Sequence, residues 1–419
     1  MLAELLADQS WLHALSSAEP KVAEILSRSP AEQLKRGYYH TLREICQQPP
    51  TWINTAEQMI SSGDGLRGCI EGIRSIVLTG SGSSEFVGHC ASPGLRRDLN
   101  IMAKVVPGGA LLTYGTDILP PERPALVVSL SRSGDSPETV GAISRCLQED
   151  RRIRHLVLTC NPAGRAADTF REDDAVKVMT LDEATNDRSL AMTSSVTNLV
   201  LAVRSLGAVK DPQAYRAVCV RLSAIADKLL RAHMGTCAAV ARTRFKRAVY
   251  LGSGSQLGAA RESALKMLEM TAGAVATLRD SFLGFRHGPM SFAHPDTLIV
   301  CFLSSDPLLR AYECDLLQEL NDKELGLLKV LVGEDVPRDM VRKDDVVIEC
   351  AGLKEVGDDD APVIHVVVGQ LLAFFRCLEE GLHPDSPSVD GVINRVVQSF
   401  KVHLPNGRDG QPSKENAGV

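Results

Sequence analysis

At 419 residues, 44% of them hydrophobic and 23% charged, the chain is longer than a single core usually supports, so two α/β domains are expected. A net charge of −6 with mixed signs and no basic block argues against nucleic acid as a partner. The eleven cysteines are scattered and odd in number and form no Cys-x-x-Cys pair, which argues against structural disulfides and a zinc cluster.

The N-terminus MLAELLADQS has no basic region ahead of a long apolar core, so it does not read as a signal peptide. No apolar run approaches the roughly 20 residues that span a bilayer. A soluble cytoplasmic protein is the expectation. Residues 1–62 read as a helical segment, with Leu2, Leu5 and Leu6, then Val22, Ile25 and Leu26, spaced as on amphipathic helices. Having no sheet, this segment is expected to pack on a domain or on a partner subunit.

A first domain is expected over 63–210. Its opening strand, 75–79, ends in Gly80, Ser81, Gly82, Ser83 and Ser84 before a helix from about Glu85. The turn resembles a dinucleotide-binding loop only loosely, because Glu85 stands where the third glycine of that motif belongs. Further strands near 103–106, 125–130, 156–159 and 175–179 alternate with helices, which implies a doubly wound parallel sheet with ligands at the carboxyl ends of its strands.

The central strand leads into Ser131, Arg132, Ser133, Gly134, Asp135 and Ser136. Ser136 suits a helix N-cap and Pro137 the first helical position, with Val140, Ile143 and Leu147 following at helical spacing. Backbone N–H groups, hydroxyls and the positive end of a helix dipole thus converge on one point, where a phosphate would be stabilised. An ordinary serine-capped turn is the plain alternative; three serines and an arginine before one helix end favour the anion. Farther along, Thr193, Ser194 and Ser195 open a helix over 190–206 and read equally as a third polar edge of the pocket or as an N-cap cluster.

A second domain is expected over 211–402. RAVYLGSGS, ending at Ser255, echoes RSIVLTGSGS, ending at Ser83, with Gly252 and Gly80 separated by 172 positions (252 − 80). Such an echo points to duplicated domains. The second copy lacks the serine loop: after a strand over 297–303 come Ser304, Ser305, Asp306 and Pro307, and the acid would repel a phosphate. One half is then free to supply chemistry. On its first helix Glu262, Lys266 and Glu269 form one stripe, which by spacing alone reads as a solvated ladder of charges. The loop that follows, DSFLGFRHGPM, fixes His287 beside Gly288 and Pro289, where an imidazole can exchange a proton near neutral pH and a nearby carboxylate can act as base.

Taken together, SLSRSGDSPET, the twin GSGS turns, SALKMLEM and FRHGPMSF resemble the tandem sugar isomerase (SIS) superfamily over about residues 40–400. Within it the chain is most similar to the tagatose-6-phosphate ketose/aldose isomerase family, which includes galactosamine-6-phosphate deaminases, and it also resembles the isomerase half of glucosamine-6-phosphate synthase. The resemblance implies two doubly wound, three-layer αβα SIS domains with an N-terminal helical extension. It implies a sugar-phosphate clamp of Ser131, Arg132, Ser133 and Ser136 or Thr139, with Ser84 and the neighbouring Ser81 and Ser83 reaching the sugar or its phosphate. Thr193 and Ser194 are further candidates. Glu269 matches the carboxylate that shuttles a proton between C1 and C2, Lys266 the lysine beside it, and His287 the ring-opening histidine, often supplied across a dimer interface.

No cofactor or metal is implied. The expected reaction converts galactosamine 6-phosphate to tagatose 6-phosphate with loss of ammonia; alternatives are isomerisation without deamination and a non-catalytic sugar-phosphate sensor. The expected partners are a phosphorylated hexose or hexosamine and a second copy of the chain, with no nucleic acid and no membrane. Arg395 stands where glucosamine synthase carries an imine-forming lysine, so covalent capture is not expected and Arg395 would orient phosphate or a hydroxyl instead. With no glutaminase domain ahead of Met1, glutamine is not expected as an ammonia donor. Residues 403–419, polar and rich in Gly and Pro, read as a disordered tail.

Overall fold

The structure is a computed structural model that describes residues 2–388, 390–397 and 401–403. Apart from His403, the tail expected to be disordered lies outside the described residues. Among the described residues ten strands form two five-stranded parallel sheets. The first consists of β1 (Ser75–Gly80), β2 (Met102–Pro107), β3 (Ala125–Ser131), β4 (Ile153–Thr159) and β5 (Val176–Thr180), in the order β2-β1-β3-β4-β5. The second consists of β6 (Arg247–Gly252), β7 (Ala276–Asp280), β8 (Thr297–Phe302), β9 (Leu328–Gly333) and β10 (Val346–Glu349). Read from the other edge its order is β7-β6-β8-β9-β10, the same topology. The duplication inferred from the twin turns is therefore a duplication of the whole wound sheet.

The sequence reading leaves β7, β9 and β10 unassigned. β7 is a partly exposed edge strand with no apolar run, and β10, at the other edge, has only the three apolar residues Val346, Val347 and Ile348. β9 is wholly buried but carries Lys329, whose Nζ pairs with Asp345 at 2.5 Å.

The twin turns share one geometry. Gly82 (φ 58°, ψ −126°) and Gly254 (φ 54°, ψ −124°) take a backbone conformation open to glycine, and helices start directly after them at Ser83 and Ser255. These two helices, Ser83–Leu99 and Ser255–Met270, pack on each other between the sheets. They cross at Gly258, where a β-carbon would come within 2.7 Å of the Cys90 Cα. One continuous apolar core then runs through both lobes, joining Leu78 and Val128 of the first sheet to Tyr250 and Phe302 of the second.

The N-terminal helices pack into this same core through Leu26, Tyr38 and Trp52, so their partner is their own chain. Gln48 Nε2 donates to Gln370 Oε1 at 2.7 Å, and Trp52 Nε1 donates to Thr197 Oγ1 at 2.9 Å. The helix Pro362–Glu379, 18 residues with a mean hydropathy of 1.4, is long and apolar enough to cross a membrane, contrary to the sequence reading. Its burial explains that composition: 83% of it is covered within the protein, between the Ser255–Met270 helix and the helix Pro212–Ala241.

Candidate active site

Antiparallel crossing at Cys90 and Gly258 dictates what meets between the lobes. Ser83 lies seven residues before one crossing point and Lys266 eight residues after the other, so the start of the front helix sits beside the last turns of the rear one. Lys266, 1% exposed, donates from Nζ to Ser83 Oγ at 2.9 Å and to Glu269 Oε2 at 2.5 Å. Glu262 lies 3.3 Å from the same ammonium, is fully buried, and neither of its oxygens accepts a well-formed hydrogen bond.

Burial pushes Glu262 up to about 7, against the pull of Lys266. The reverse balance holds at Lys266, where burial pulls down but the charges of Glu262 and Glu269 leave the ammonium above its usual range. The stripe is thus a buried acid–base group, covered by the other lobe's helix, rather than a solvated ladder. Glu262 had no assigned role in the sequence reading. The run Gly258-Ala259-Ala260 is the signal that could have marked this helix as closely packed.

The serine loop sits at the carboxyl end of β3, beside the first turn at the end of β1, at the point where the strand order reverses. Gly134 (φ 70°) turns the chain, and Asn161 Nδ2 braces it by donating to the Ser133 carbonyl at 2.8 Å. Ser131 Oγ accepts from Gly134 N at 2.9 Å and Ser133 Oγ from Asp135 N at 3.1 Å, which leaves both hydroxyl protons free to donate. Ser136 Oγ makes only a long bond to Glu138 at 3.3 Å, and Thr139 is buried in the first turn of the helix Pro137–Glu149. In the β1 turn Ser81 is exposed, whereas Ser84 is buried with Oγ 3.9 Å from Met192 Sδ.

Three candidates differ from expectation. Arg132 is committed elsewhere: Nη1 donates to the Ser189 and Leu190 carbonyls, each at 3.0 Å, and Nη2 to the Arg395 carbonyl at 2.8 Å. Its guanidinium holds the loop's surroundings together and is spent on these carbonyls. Arg395 likewise donates from Nη2 to the Asp187 carbonyl at 2.7 Å and to Asn186 Oδ1 at 2.7 Å, so it fastens the C-terminal segment to the 186–190 segment rather than facing the phosphate loop. The third is Ser194. Asp187 accepts from the amides of Thr193, Ser194 and Ser195 at 2.8, 3.1 and 2.9 Å, so the cap reading describes that helix end. Thr193 Oγ1, fully buried, keeps no partner.

His287 stands apart from Glu269 within the chain. Along β6, Ala248 and Tyr250 face the core that holds Met267 and Met270, while Val249 and Leu251 face the opposite cluster with Phe282 and Phe285. The loop bearing His287 therefore lies on the outer face of the second sheet, with the imidazole exposed, and Glu269 belongs to the inner face. Among the described residues no cluster of three or more His, Cys, Asp or Glu is arranged to hold a metal. A cavity of ≈ 750 Å³, lined by Arg43, Glu44, Asp187 and Arg395 among others, opens behind the 186–190 segment, separate from the Lys266 group.

No family model matches the chain. It is 34% identical over 370 residues to the D-galactosamine-6-phosphate deaminase AgaS of Escherichia coli O157:H7, an alignment covering 87% of this chain and 95% of that protein. This chain belongs to the AgaS family. The AgaS protein of Shewanella sp. (strain ANA-3) is 32% identical over 386 residues, covering 89% of this chain and 94% of its own length. Among solved structures, the tagatose-6-phosphate ketose/aldose isomerase from Escherichia coli matches with a TM-score of 0.78 at 33% identity, over 87% of this chain and 96% of that one. The AgaS membership and this neighbour bear out the tandem sugar-isomerase architecture read from the motifs.

Proposed function

We propose that the chain is a sugar-phosphate isomerase and deaminase that converts galactosamine 6-phosphate to tagatose 6-phosphate and ammonia. The observation that carries this reading is the bond from Lys266 to Ser83, which joins a buried acid–base group of one lobe to the anion-binding end of the other. The phosphate rests on the hydroxyls of Ser131, Ser133 and Ser84 and on the N-terminus of the helix Pro137–Glu149. Binding energy from that remote group fixes the reacting carbons beside Glu269.

In the open-chain aldose the Glu269 carboxylate takes the proton from C2. The electron pair forms the C1=C2 bond of an enolamine as the C1=O1 π pair moves to O1, which takes a proton from solvent. Return of the proton from Glu269 to C1, with loss of one N–H proton from the nitrogen to solvent, gives an imine at C2. Water adds to that carbon and ammonia leaves, which yields the ketose. Lys266 holds the carboxylate in place and supplies positive charge where negative charge develops at oxygen.

Ring opening falls to His287 of a second copy, because the imidazole and Glu269 of one chain occupy opposite faces of a sheet. The outer surface fits such a partner: Leu283, four residues before His287, is 47% exposed, and Leu308 and Tyr312 on the adjoining helix Pro307–Asp322 are 66% and 46% exposed. The test is a panel of hexosamine 6-phosphates and ketohexose monophosphates assayed for ammonia and for sugar products. Galactosamine 6-phosphate should yield ammonia and tagatose 6-phosphate in equal amounts, and Glu269→Gln should lose turnover while binding the substrate within a few-fold of the parent. Ketose/aldose exchange without ammonia would leave the plain isomerase; full turnover by Glu269→Gln would remove the mechanism.

A further inference from the structure

The second sheet carries its own copy of the crevice at the point where strand order reverses, between β6 and β8. Its parts match those of the front crevice: the turn at Ser253 and Ser255 repeats the backbone of the turn at Ser81 and Ser83, and Ser304 and Ser305 follow β8 as the serine loop follows β3. Hydroxyls and amides here already have acceptors. Ser304 Oγ donates to Asp358 Oδ2, and Ser305 N donates to Asp358 Oδ1 at 2.7 Å. Glu313 accepts from Ser304 N and from Ser253 Oγ, each at 2.8 Å, and Asp359 Oδ1 accepts from Ser255 Oγ at 3.1 Å. Every one of these donors faces a carboxylate of the same chain. In the front crevice, by contrast, Ser131 and Ser133 appear in hydrogen bonds only as acceptors.

We propose that the rear crevice is an oxyanion seat occupied by the chain's own carboxylates, with Asp358 and Glu313 in the place a phosphate takes in its front counterpart. The seat doubles as a lock between the lobes. Asp359 Oδ2 lies 2.7 Å from Arg97 Nη1, and Asp360 Oδ1 lies 2.8 Å from Arg204 Nε, so the segment that fills the rear seat is gripped by two helices of the front lobe. Arg204 also holds Asp98 at 2.7 Å. The helix pair explains the exchange: Gly94 is the counterpart of Lys266 (266 − 172) and Arg97 that of Glu269 (269 − 172). At Gly94 a side chain would run into the Arg204 guanidinium, with its β-carbon 2.5 Å from Cζ. Where the front crevice receives a lysine and a base from the rear helix, the rear crevice receives guanidinium groups and fills itself with acids to match.

Emptying the seat should make it take an external oxyanion. The probe is inorganic phosphate, titrated calorimetrically into the full-length parent and into a triple variant, Asp358→Ala, Glu313→Gln and Asp306→Asn, the last of which removes the charge at the helix end where Asp306 Oδ1 accepts from Leu308 N and Leu309 N at 2.9 and 3.0 Å. The number of phosphates bound per chain should rise by one relative to the parent, whatever the parent's own count. A folded triple variant with an unchanged count overturns the proposal. Asp358→Asn, Glu313→Gln and Asp306→Asn together, which keep the shape of all three side chains, guard against a triple variant that does not fold. Phosphate should raise the melting temperature of this shape-preserving variant by more than it raises the parent's, since a second site binding only the native state adds its own stabilisation. Equal shifts in that variant would overturn the proposal as well.

Discussion

Replacing Glu262 with Gln isolates what it costs to hold a carboxyl between the lobes. Glu262 is fully buried, and burial outweighs Lys266 to carry the group from its ordinary 4.5 to about 7. Between those values the native protein keeps a proton that the unfolded chain has released. The native state binds more protons there, so this group's contribution to stability is greatest below pH 4.5, falls as pH rises towards 7, and is level above. A displacement of that size corresponds to about 3 kcal/mol. The amide of Glu262→Gln fills the same space and carries no such proton. Urea unfolding of parent and variant at several pH values from 4.5 to 8, at constant ionic strength, reads the difference directly. Stability of the variant relative to the parent should rise by about 3 kcal/mol across that range. Glu44 and Glu313, also pushed up to about 7 chiefly by burial, titrate in both proteins and cancel. Parallel curves would mean that Glu262 is as well solvated in the fold as in the open chain, and the buried acid–base group would be lost with it.

Ser133→Ala should raise KM for the phosphorylated sugar by roughly tenfold to hundredfold with kcat within a few-fold, the value of one hydrogen bond to a charged group; steady-state kinetics separates the two. Arg132→Met removes three bonds to backbone carbonyls and should lower stability by about 1–3 kcal/mol by urea unfolding. Arg132→Lys should recover only part of that, because an ammonium cannot reach the carbonyls of both the 189–190 segment and Arg395 in the guanidinium's planar geometry. Glu269→Gln and His287→Asn should each be inactive alone, and subunits mixed and reassembled should regain about a quarter of the parent's activity, since half of the dimers are mixed and each has one complete site. No recovery on mixing would place both groups in one chain's site.

What the sequence made legible was local. The serine loop and the twin turns each follow from a few adjacent residues and stand where the residues put them; Ser136 stands at the N-cap of the helix Pro137–Glu149, though its side chain makes no cap bond, and the helices read from about 85 and from 190 begin at Ser83 and Ser194. Burial of the Glu262–Lys266–Glu269 stripe was not legible, because it is imposed by a helix about 170 positions earlier that closes over it at Gly258. The spacing of a solvated ladder and of a buried acid–base group is the same. Arg132 shows the converse limit: chemistry marked it as an anion ligand, yet its neighbours Ser189, Leu190 and Arg395, distant in sequence, present carbonyls that claim the guanidinium first. A cation in a phosphate-binding loop is a free ligand only if no backbone acceptor lies within its reach.

Both crevices are composite, and their contents differ. Because the two helices pack antiparallel, the later turns of each reach the crevice of the other lobe, so neither crevice is built from one lobe alone. The side chains at two pairs of equivalent positions then decide what each crevice holds: lysine and glutamate at 266 and 269, glycine and arginine at 94 and 97. In the front crevice Lys266 donates to Ser83 and to Glu269, and the hydroxyls of Ser131 and Ser133 accept from backbone amides and keep their protons. In the rear crevice Arg97 and Arg204 meet fixed negative charge at Asp359 and Asp360, while Asp358 and Asp359 accept from the serines, so three consecutive aspartates serve both sides. Placing lysine and glutamate at 94 and 97 would therefore not reproduce the front arrangement, since both the aspartate segment and Arg204 already fill the space those side chains would need.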